Sequence, residues 1–131
     1  MPFTQSFEIT KWDQSTYDEA DGVELGRATV TKSFADGDLV GTSSAELLMA
    51  GTPAGPAAYT AVERFTGTLA GRDGSFVIVH GATADENVSR GKIVAATGDL
   101  TGLTGTVVFE HDDKGPRLTV DYEGVSPTST P

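Results

Sequence analysis

A period of two residues runs through this chain and constrains its fold more than any other feature. In the N-terminal stretch FTQSFEIT, the apolar residues Phe3, Phe7 and Ile9 alternate with polar residues. The stretch RATVTKSF repeats the alternation with Ala28 and Val30. Because successive side chains of a strand point to opposite faces, this pattern predicts strands with one buried face. The sequence therefore predicts an all-β protein.

Eight segments fit this description, separated by clusters of Gly, Asp and Pro. They are FTQSFEITKW, RATVTKSF, LVGTSSAELLMA, YTAVERFTGTL, GSFVIVHGAT, NVSRGKIVAATG, GTVVFEH and RLTVDYEG. The helix-tolerant SSAELLMA is assigned to a strand because its neighbours are strands. We expect loops at 13–24 and 51–57, a single domain over 1–125 and a flexible C-terminal tail over 126–131. Eight evenly spaced short strands favour a closed barrel or a sandwich.

The pattern Gly-x-Leu-x-Gly occurs three times, at 37–41, 67–71 and 98–102. A phosphate-binding loop would follow a strand and open a helix, whereas each copy here runs from strand to strand. The pattern therefore predicts hairpin corners. The second copy predicts a turn centred on Arg72 and Asp73, with Leu69 facing Phe76.

The third copy predicts a turn centred on Leu103 and Thr104, with Leu100 facing Val107. The first copy does not fit a simple hairpin, so the face on which Glu46 lies stays open.

The predicted hairpin places Glu63 and His80 on one inward face as diagonal neighbours. Such neighbours lie roughly 7–8 Å apart, within reach of long side chains. Burial is expected to raise the pKa of Glu63, and a carboxyl beside an imidazole in an apolar pocket suits proton transfer. The alternative is a buried pair that only supports the barrel. Tyr59 continues this face, and Lys32 is in phase with inward Val30, where it either reaches the rim or contacts a ligand.

The composition excludes several classes of function. The chain has no cysteine, so disulfides, thiolate metal sites and cysteine catalysis are absent. Its net charge of −10 opposes binding to nucleic acids and to anionic membranes. No apolar run approaches the roughly 20 residues of a membrane span, and no signal peptide is visible, which predicts a cytoplasmic location.

No metal ion or other cofactor is predicted. A site formed by His80, His111 and Glu63 is the alternative, but no HxH or HExxH spacing supports it, and His111 runs into the polar turn HDDKG. We therefore expect His111 to be exposed.

The ordered series FEITKWD, RATVTKSFADGDLVGTSSAELLMA, YTAVERFTGTLAGRDGSFVIVHG and TGDLTGLTGTVVFEHDDKGPRLTVDYE resembles the bacterial domain-of-unknown-function 3224 family. The resemblance covers about residues 4–123. It implies a closed, mostly antiparallel, eight-stranded barrel like the allene oxide cyclases, with a central cavity. The residues that match the family's recurring motif are Glu63, Arg64, Phe65, Gly67, Gly71, Gly74, Phe76 and His80. The family has no settled activity, and fold does not determine function.

Three hypotheses follow, because a barrel of this size is either filled by side chains or holds one small ligand. The first is an isomerase or cyclase that binds a largely apolar small molecule and uses Glu63 and His80 as catalytic residues. The second is a lipocalin-like carrier without catalysis, and the third is a filled barrel that acts as an interaction module. The candidate ligand-binding residues are Tyr59, Phe65, Phe76, Ile78, Phe109, Tyr122 and Trp12. A homo-oligomer formed through the outer-face residues Val62, Val77 and Val79 is also possible.

Overall fold

The computed structural model describes residues 1–125, which form nine strands. The predicted tail at 126–131 lies outside the described residues. The strands are β1 (Pro2–Ser6), β2 (Glu8–Ala20), β3 (Val23–Phe34), β4 (Leu39–Thr52), β5 (Gly55–Leu69), β6 (Arg72–Thr83), β7 (Ser89–Gly98), β8 (Thr104–Asp112) and β9 (Gly115–Glu123). Within the described part, no helix is long and apolar enough to cross a membrane.

All nine strands belong to one antiparallel sheet with the order β1-β9-β8-β7-β6-β5-β4-β3-β2. The all-β, antiparallel prediction is confirmed. The closed eight-stranded barrel is wrong, because the edge strands β1 and β2 do not pair with each other and the sheet is a curled half-barrel. The predicted first strand divides at Phe7: β1 pairs with β9, whereas β2 pairs with β3. Phe7 itself donates a backbone hydrogen bond to Pro116 at 3.3 Å.

Two predicted loops are instead long hairpins. Strand β2 continues to Ala20 and turns at Asp21 and Gly22, whose φ angles of 53° and 83° suit the tight turns that join twisted strands. Strands β4 and β5 stay paired as far as Thr52 and Gly55. The sequence signal misled because polar residues fill an edge strand that is exposed along its whole length. The strand assignment of SSAELLMA is confirmed within β4.

The turn between β5 and β6 lies at Ala70 and Gly71, not at Arg72 and Asp73. Leu69 therefore faces Arg72, and Phe65 faces Phe76. The predicted pairing is wrong, but each residue of β5 changes its partner on β6 by an even number of positions, as Leu69 does from Phe76 to Arg72. Because side-chain direction has a period of two, every inward residue of this hairpin remains inward.

The third copy of the repeat is not a tight hairpin. Strands β7 and β8 pair only between Ser89–Ile93 and Gly105–Phe109, so Leu100 does not face Val107. A register shift near Ile93 leaves the rest of β7 paired with β6 alone. Leu100 then lies in the connecting loop, where it is nevertheless fully buried.

One glycine from each of the three repeats, together with Gly74, forms a row across four neighbouring strands. The row is Gly41, Gly67, Gly74 and Gly98, each paired with the next. A Cβ atom placed on Gly67 would lie 2.1 Å from the carbonyl oxygen of Val40, which is far inside van der Waals contact. The row lets backbones approach closely and lets the sheet curl at this end of the molecule.

The interior has two parts that differ in side-chain size. The larger cluster is rich in Phe and Leu, and its fully buried members include Leu39, Phe65, Leu69, Phe76, Leu100 and Leu118. The smaller cluster consists of Ala28, Val30, Ala45, Leu47 and Ala61. Small side chains fill less volume, so the second part has room for a cavity. The sequence left open the face on which Glu46 lies. Glu46 is exposed on the outer face, where its Oε2 lies 3.4 Å from Nε of Arg27.

Candidate functional site

A cavity of about 730 Å³ opens beside the alanine-rich cluster. Val30, Leu47, Met49 and Ala82 contribute to its apolar wall. Its polar lining includes Lys32, Tyr59, His80 and Ser89. The cavity is large enough for a small organic molecule, since ligand pockets commonly occupy about 300–1,000 Å³.

Five consecutive strands each supply one member of a buried polar cluster next to this cavity. The members are Lys32 on β3, Ser43 on β4, Glu63 on β5, His80 on β6 and Ser89 on β7. Each lies in phase with inward apolar neighbours of its own strand, as Lys32 does with Val30 and Phe34. The cluster therefore arises from the same alternation that builds the core.

Glu63 is the centre of the cluster. Its side chain is 1% exposed, and it does not line the cavity. Atom Oε1 accepts hydrogen bonds from Lys32 Nζ and His80 Nε2, both at 2.9 Å. Atom Oε2 accepts a hydrogen bond from Ser43 Oγ at 2.6 Å. Glu63 thus holds the ammonium and the imidazole side by side at the cavity wall.

Burial raises the pKa of Glu63, but its hydrogen bond with His80, the charge of Lys32 and the bond from Ser43 together lower it from 4.5 to about 2. The prediction of a raised pKa is therefore wrong, because it considered burial without the partners. An ionised Glu63 suits a structural anchor and not an acid that donates a proton.

His80 presents different atoms to Glu63 and to the hydroxyl groups. Because the ionised carboxylate only accepts, the hydrogen on the imidazole lies on Nε2, which leaves Nδ1 as an acceptor in the neutral ring. Nδ1 lies 3.2 Å from both Tyr59 Oη and Ser89 Oγ. Tyr59 donates a short hydrogen bond to Ser89, and burial raises the pKa of Tyr59, so its phenol stays protonated. Nδ1, the acceptor nitrogen of the neutral ring, thus lies beside the hydroxyl groups of Tyr59 and Ser89.

Aromatic rings hold the two nitrogen-bearing side chains in place. Phe109 stacks on the imidazole of His80, with ring centroids 4.4 Å apart and planes inclined by 34°. The ammonium of Lys32 lies 4.2 Å from the centroid of Phe109 and 5.0 Å from that of Phe7. Cation–π attraction adds to the ion pair with Glu63 in fixing Lys32.

Glycine at position 91 makes room for His80, its cross-strand neighbour. A Cβ atom on Gly91 would lie 2.6 Å from Cβ of His80 and 2.0 Å from the carbonyl oxygen of Val79. Any side chain there would displace the imidazole from Glu63.

The structure separates the predicted ligand-binding residues into two groups. Trp12, Tyr59 and Phe109 line the cavity, with Trp12 half exposed. The others, Phe65, Phe76, Ile78 and Tyr122, are packed in the larger core cluster away from the cavity wall. The predicted catalytic residues Glu63 and His80 are in direct contact, but only His80 reaches the cavity.

Sequence reasoning missed Ser43 and Ser89. Both are in phase with inward apolar residues, Ser43 with Ala45 and Ser89 with Ile93, so alternation was the available signal. His111 is exposed, as predicted. Among residues 1–125, no group of three or more His, Asp or Glu side chains is arranged to hold a metal ion.

Comparison with known proteins identifies the family. The family model described as "Protein of unknown function (DUF3224)" matches residues 3–123. The chain belongs to the DUF3224 family. A crystal structure of a DUF3224 protein with unknown function from Shewanella oneidensis MR-1 is similar, with a TM-score of 0.80 and 28% sequence identity. The match covers 96% of this chain and 98% of the Shewanella chain.

No curated protein matches this DUF3224 chain. Its function therefore has to be argued from the geometry of the site.

Proposed function

We propose that this protein binds a largely apolar small molecule in its cavity and catalyses an isomerisation or cyclisation by proton transfer. One observation carries the proposal. The buried Glu63 carboxylate anchors one nitrogen of the His80 imidazole, and the imidazole ring lies at the wall of a cavity of about 730 Å³.

The roles of the residues follow from their positions. His80 is the general base, and the phenol of Tyr59, which stays protonated, donates its hydrogen bond to Ser89 beside His80 Nδ1. Glu63 is a positioning residue, because it does not reach the cavity and acts by orienting the ring and stabilising the imidazolium. The apolar wall restrains the substrate near these groups. The resemblance to allene oxide cyclases that the sequence suggested is also part of this proposal.

The presence of the cavity supports a ligand-binding function over a filled barrel that acts only through its surface. A lipocalin-like carrier would use the same cavity without proton transfer. Enzyme and carrier therefore differ in turnover, and an experiment has to measure binding and proton transfer separately.

Two probes make that separation. N-phenyl-naphthylamine, a neutral apolar dye whose fluorescence rises in apolar surroundings, reports occupancy of the cavity. Nitrobenzisoxazole reports proton abstraction: a base removes its carbon-bound proton, the nitrogen–oxygen bond breaks and a coloured phenolate forms. We expect the protein to bind the dye and to accelerate the elimination about a hundredfold over free imidazole.

Two variants test whether His80 causes the elimination. His80→Gln should bind the dye and lose the elimination, whereas Glu46→Gln on the outer face should keep both. If the wild-type protein binds the dye but accelerates the elimination no more than free imidazole does, the protein is a carrier and not an enzyme. Absence of dye binding would overturn the proposal entirely.

A further inference from the structure

Lys32 places a positive charge at the cavity wall, although the proposed proton transfer needs only His80 and its partners. It is the one cation among the described residues that line the cavity. Its side chain is 9% exposed. A lysine is seldom buried unless it is paired, and here the partner is Glu63.

The ammonium of Lys32 has hydrogen-bonding capacity to spare. An ammonium carries three N–H donors. Within residues 1–125, Glu63 is the one side chain to which Lys32 donates a hydrogen bond. The rings of Phe7 and Phe109 flank the same ammonium and offer no oxygen acceptor. An oxygen atom of a bound molecule would therefore find donors at this point of the wall.

The charges around the cavity indicate that this oxygen belongs to a neutral molecule. Glu63 already balances the charge of Lys32. Glu24, Glu86 and Glu110 also line the cavity, and the chain has a net charge of −10. Carboxylates at the cavity and an acidic surface oppose the entry of an anion.

We infer that the substrate is a neutral carbonyl compound with an apolar body, whose oxygen is bound by Lys32. This inference rests on the proposed function. Lys32 and His80 bind the same oxygen of Glu63, so an electrophile and a base are neighbours on the wall. A proton on the carbon next to the carbonyl passes to His80 Nδ1, directly or through Ser89. The C–H electron pair moves into the enolate, and Lys32 stabilises the negative oxygen. When the compound carries a β,γ carbon–carbon double bond, the proton returns from His80 to the γ-carbon, the double bond moves into conjugation with the carbonyl, and the isomerisation needs no further reactant.

Benzylacetone in deuterium oxide tests this inference without knowledge of the natural substrate. It has a phenyl ring, a neutral ketone and exchangeable protons beside the carbonyl. We expect the protein to accelerate exchange of these protons for deuterium about a hundredfold over free imidazole. The infrared carbonyl stretch of the bound ketone should move to lower frequency. Benzylacetone should also displace N-phenyl-naphthylamine at a concentration at least about tenfold lower than hydrocinnamate, its anionic counterpart.

Substitution of Lys32 tests whether this residue binds the carbonyl oxygen. Lys32→Met should lower the exchange rate about a hundredfold and abolish the infrared shift, whereas Lys92→Met, an exposed lysine on the outer face, should change neither. Because Lys32→Met leaves Glu63 without its counter-ion, the double variant Lys32→Met/Glu63→Gln, which keeps the interior neutral, provides a second test. It should bind the dye without shifting the carbonyl stretch.

The outcomes separate this inference from the proposed function. If the wild-type protein cleaves nitrobenzisoxazole but neither exchanges benzylacetone protons nor shifts its carbonyl stretch, the proposed function stands and the carbonyl assignment falls. Tighter binding of hydrocinnamate than of benzylacetone would also overturn it. Failure of both reactions would remove the proposed function as well.

Discussion

At the scale of single residues, the surroundings of Glu63 determine its chemistry. Burial alone would favour a protonated carboxyl, but Lys32, Ser43 and His80 surround it from three other strands and keep it ionised. A buried ion pair is a weak source of stability, whereas removal of one partner is costly because the other charge stays buried. Glu63 therefore matters for stability and for the site at once.

This gives a prediction for acid stability. The folded pKa of Glu63 is about 2 and its ordinary value is 4.5. Its contribution is therefore fully present above pH 4.5 and is lost as the pH falls towards 2. The contribution amounts to roughly 3 kcal/mol. Urea unfolding of wild type and Glu63→Gln should give a difference in the free energy of unfolding that shrinks over this window.

Glu46→Gln is the matched control, because Glu46 forms an exposed ion pair with Arg27. Solvent screens such an exposed pair, so it contributes little to the free energy of unfolding. Subtracting the Glu63→Gln curve from that of wild type removes the titration of all other carboxylates. A difference that stays constant with pH would show that Glu63 is not the titrating group.

At the scale of strands and hairpins, the inward face of β5 and β6 does not depend on the exact position of the turn between them. The turn lies at Ala70 and Gly71 rather than two positions later, yet Glu63 and His80 remain diagonal neighbours on the inner face. A change of register by an odd number of residues would have placed Glu63 and His80 on opposite faces of the sheet. The glycine row then determines how closely these strands approach at one end.

Gly67→Ala is predicted to destabilise the protein by about 2 kcal/mol or more, because the new methyl group would collide with the backbone of Val40. Gly67 also has a φ angle of 152°, which side chains disfavour. Gly51→Ala is the control, since the nearest atom to its new Cβ lies 4.0 Å away. Thermal unfolding followed by circular dichroism would measure both. Equal melting temperatures would contradict a packing role for the row.

At the scale of the whole molecule, the two parts of the interior are packed differently. Phe and Leu side chains fill one part, whereas the cavity lies beside the smaller side chains of the other, with Val30 and Leu47 in its wall. The packed core and the cavity thereby lie in different regions of one sheet. Exposed Val62 and Val79 lie on the outer face, where the predicted homo-oligomer would have its contacts.

Two leucines test this division. Leu118→Ala, in the filled part, should cost about 3–5 kcal/mol of unfolding free energy, because it leaves a new hole. Leu47→Ala should cost about 2 kcal/mol or less, since Leu47 already borders the cavity. Urea unfolding measures the costs. Dye affinity should change in Leu47→Ala and not in Leu118→Ala, and the reverse pattern would contradict the division.

The alternation of residues by itself determined which side chains point inward, including Glu63, His80 and the in-phase Lys32. Side-chain direction is a local property of a strand with a period of two, so it survived errors in the turn, in the number of strands and in closure. The family motif added membership of the DUF3224 family but no chemistry.

Only the tertiary structure decided that Lys32, Ser43 and Ser89 join the predicted pair of Glu63 and His80. The pairing of β3 to β7, with the register shift between β6 and β7, brings side chains from five strands to one place, and no local pattern encodes such pairings. The ionised state of Glu63 and the union of Lys32, His80 and Ser89 at one cavity follow from that placement. They depend on distances between strands far apart in sequence, which alternation along a single strand does not specify.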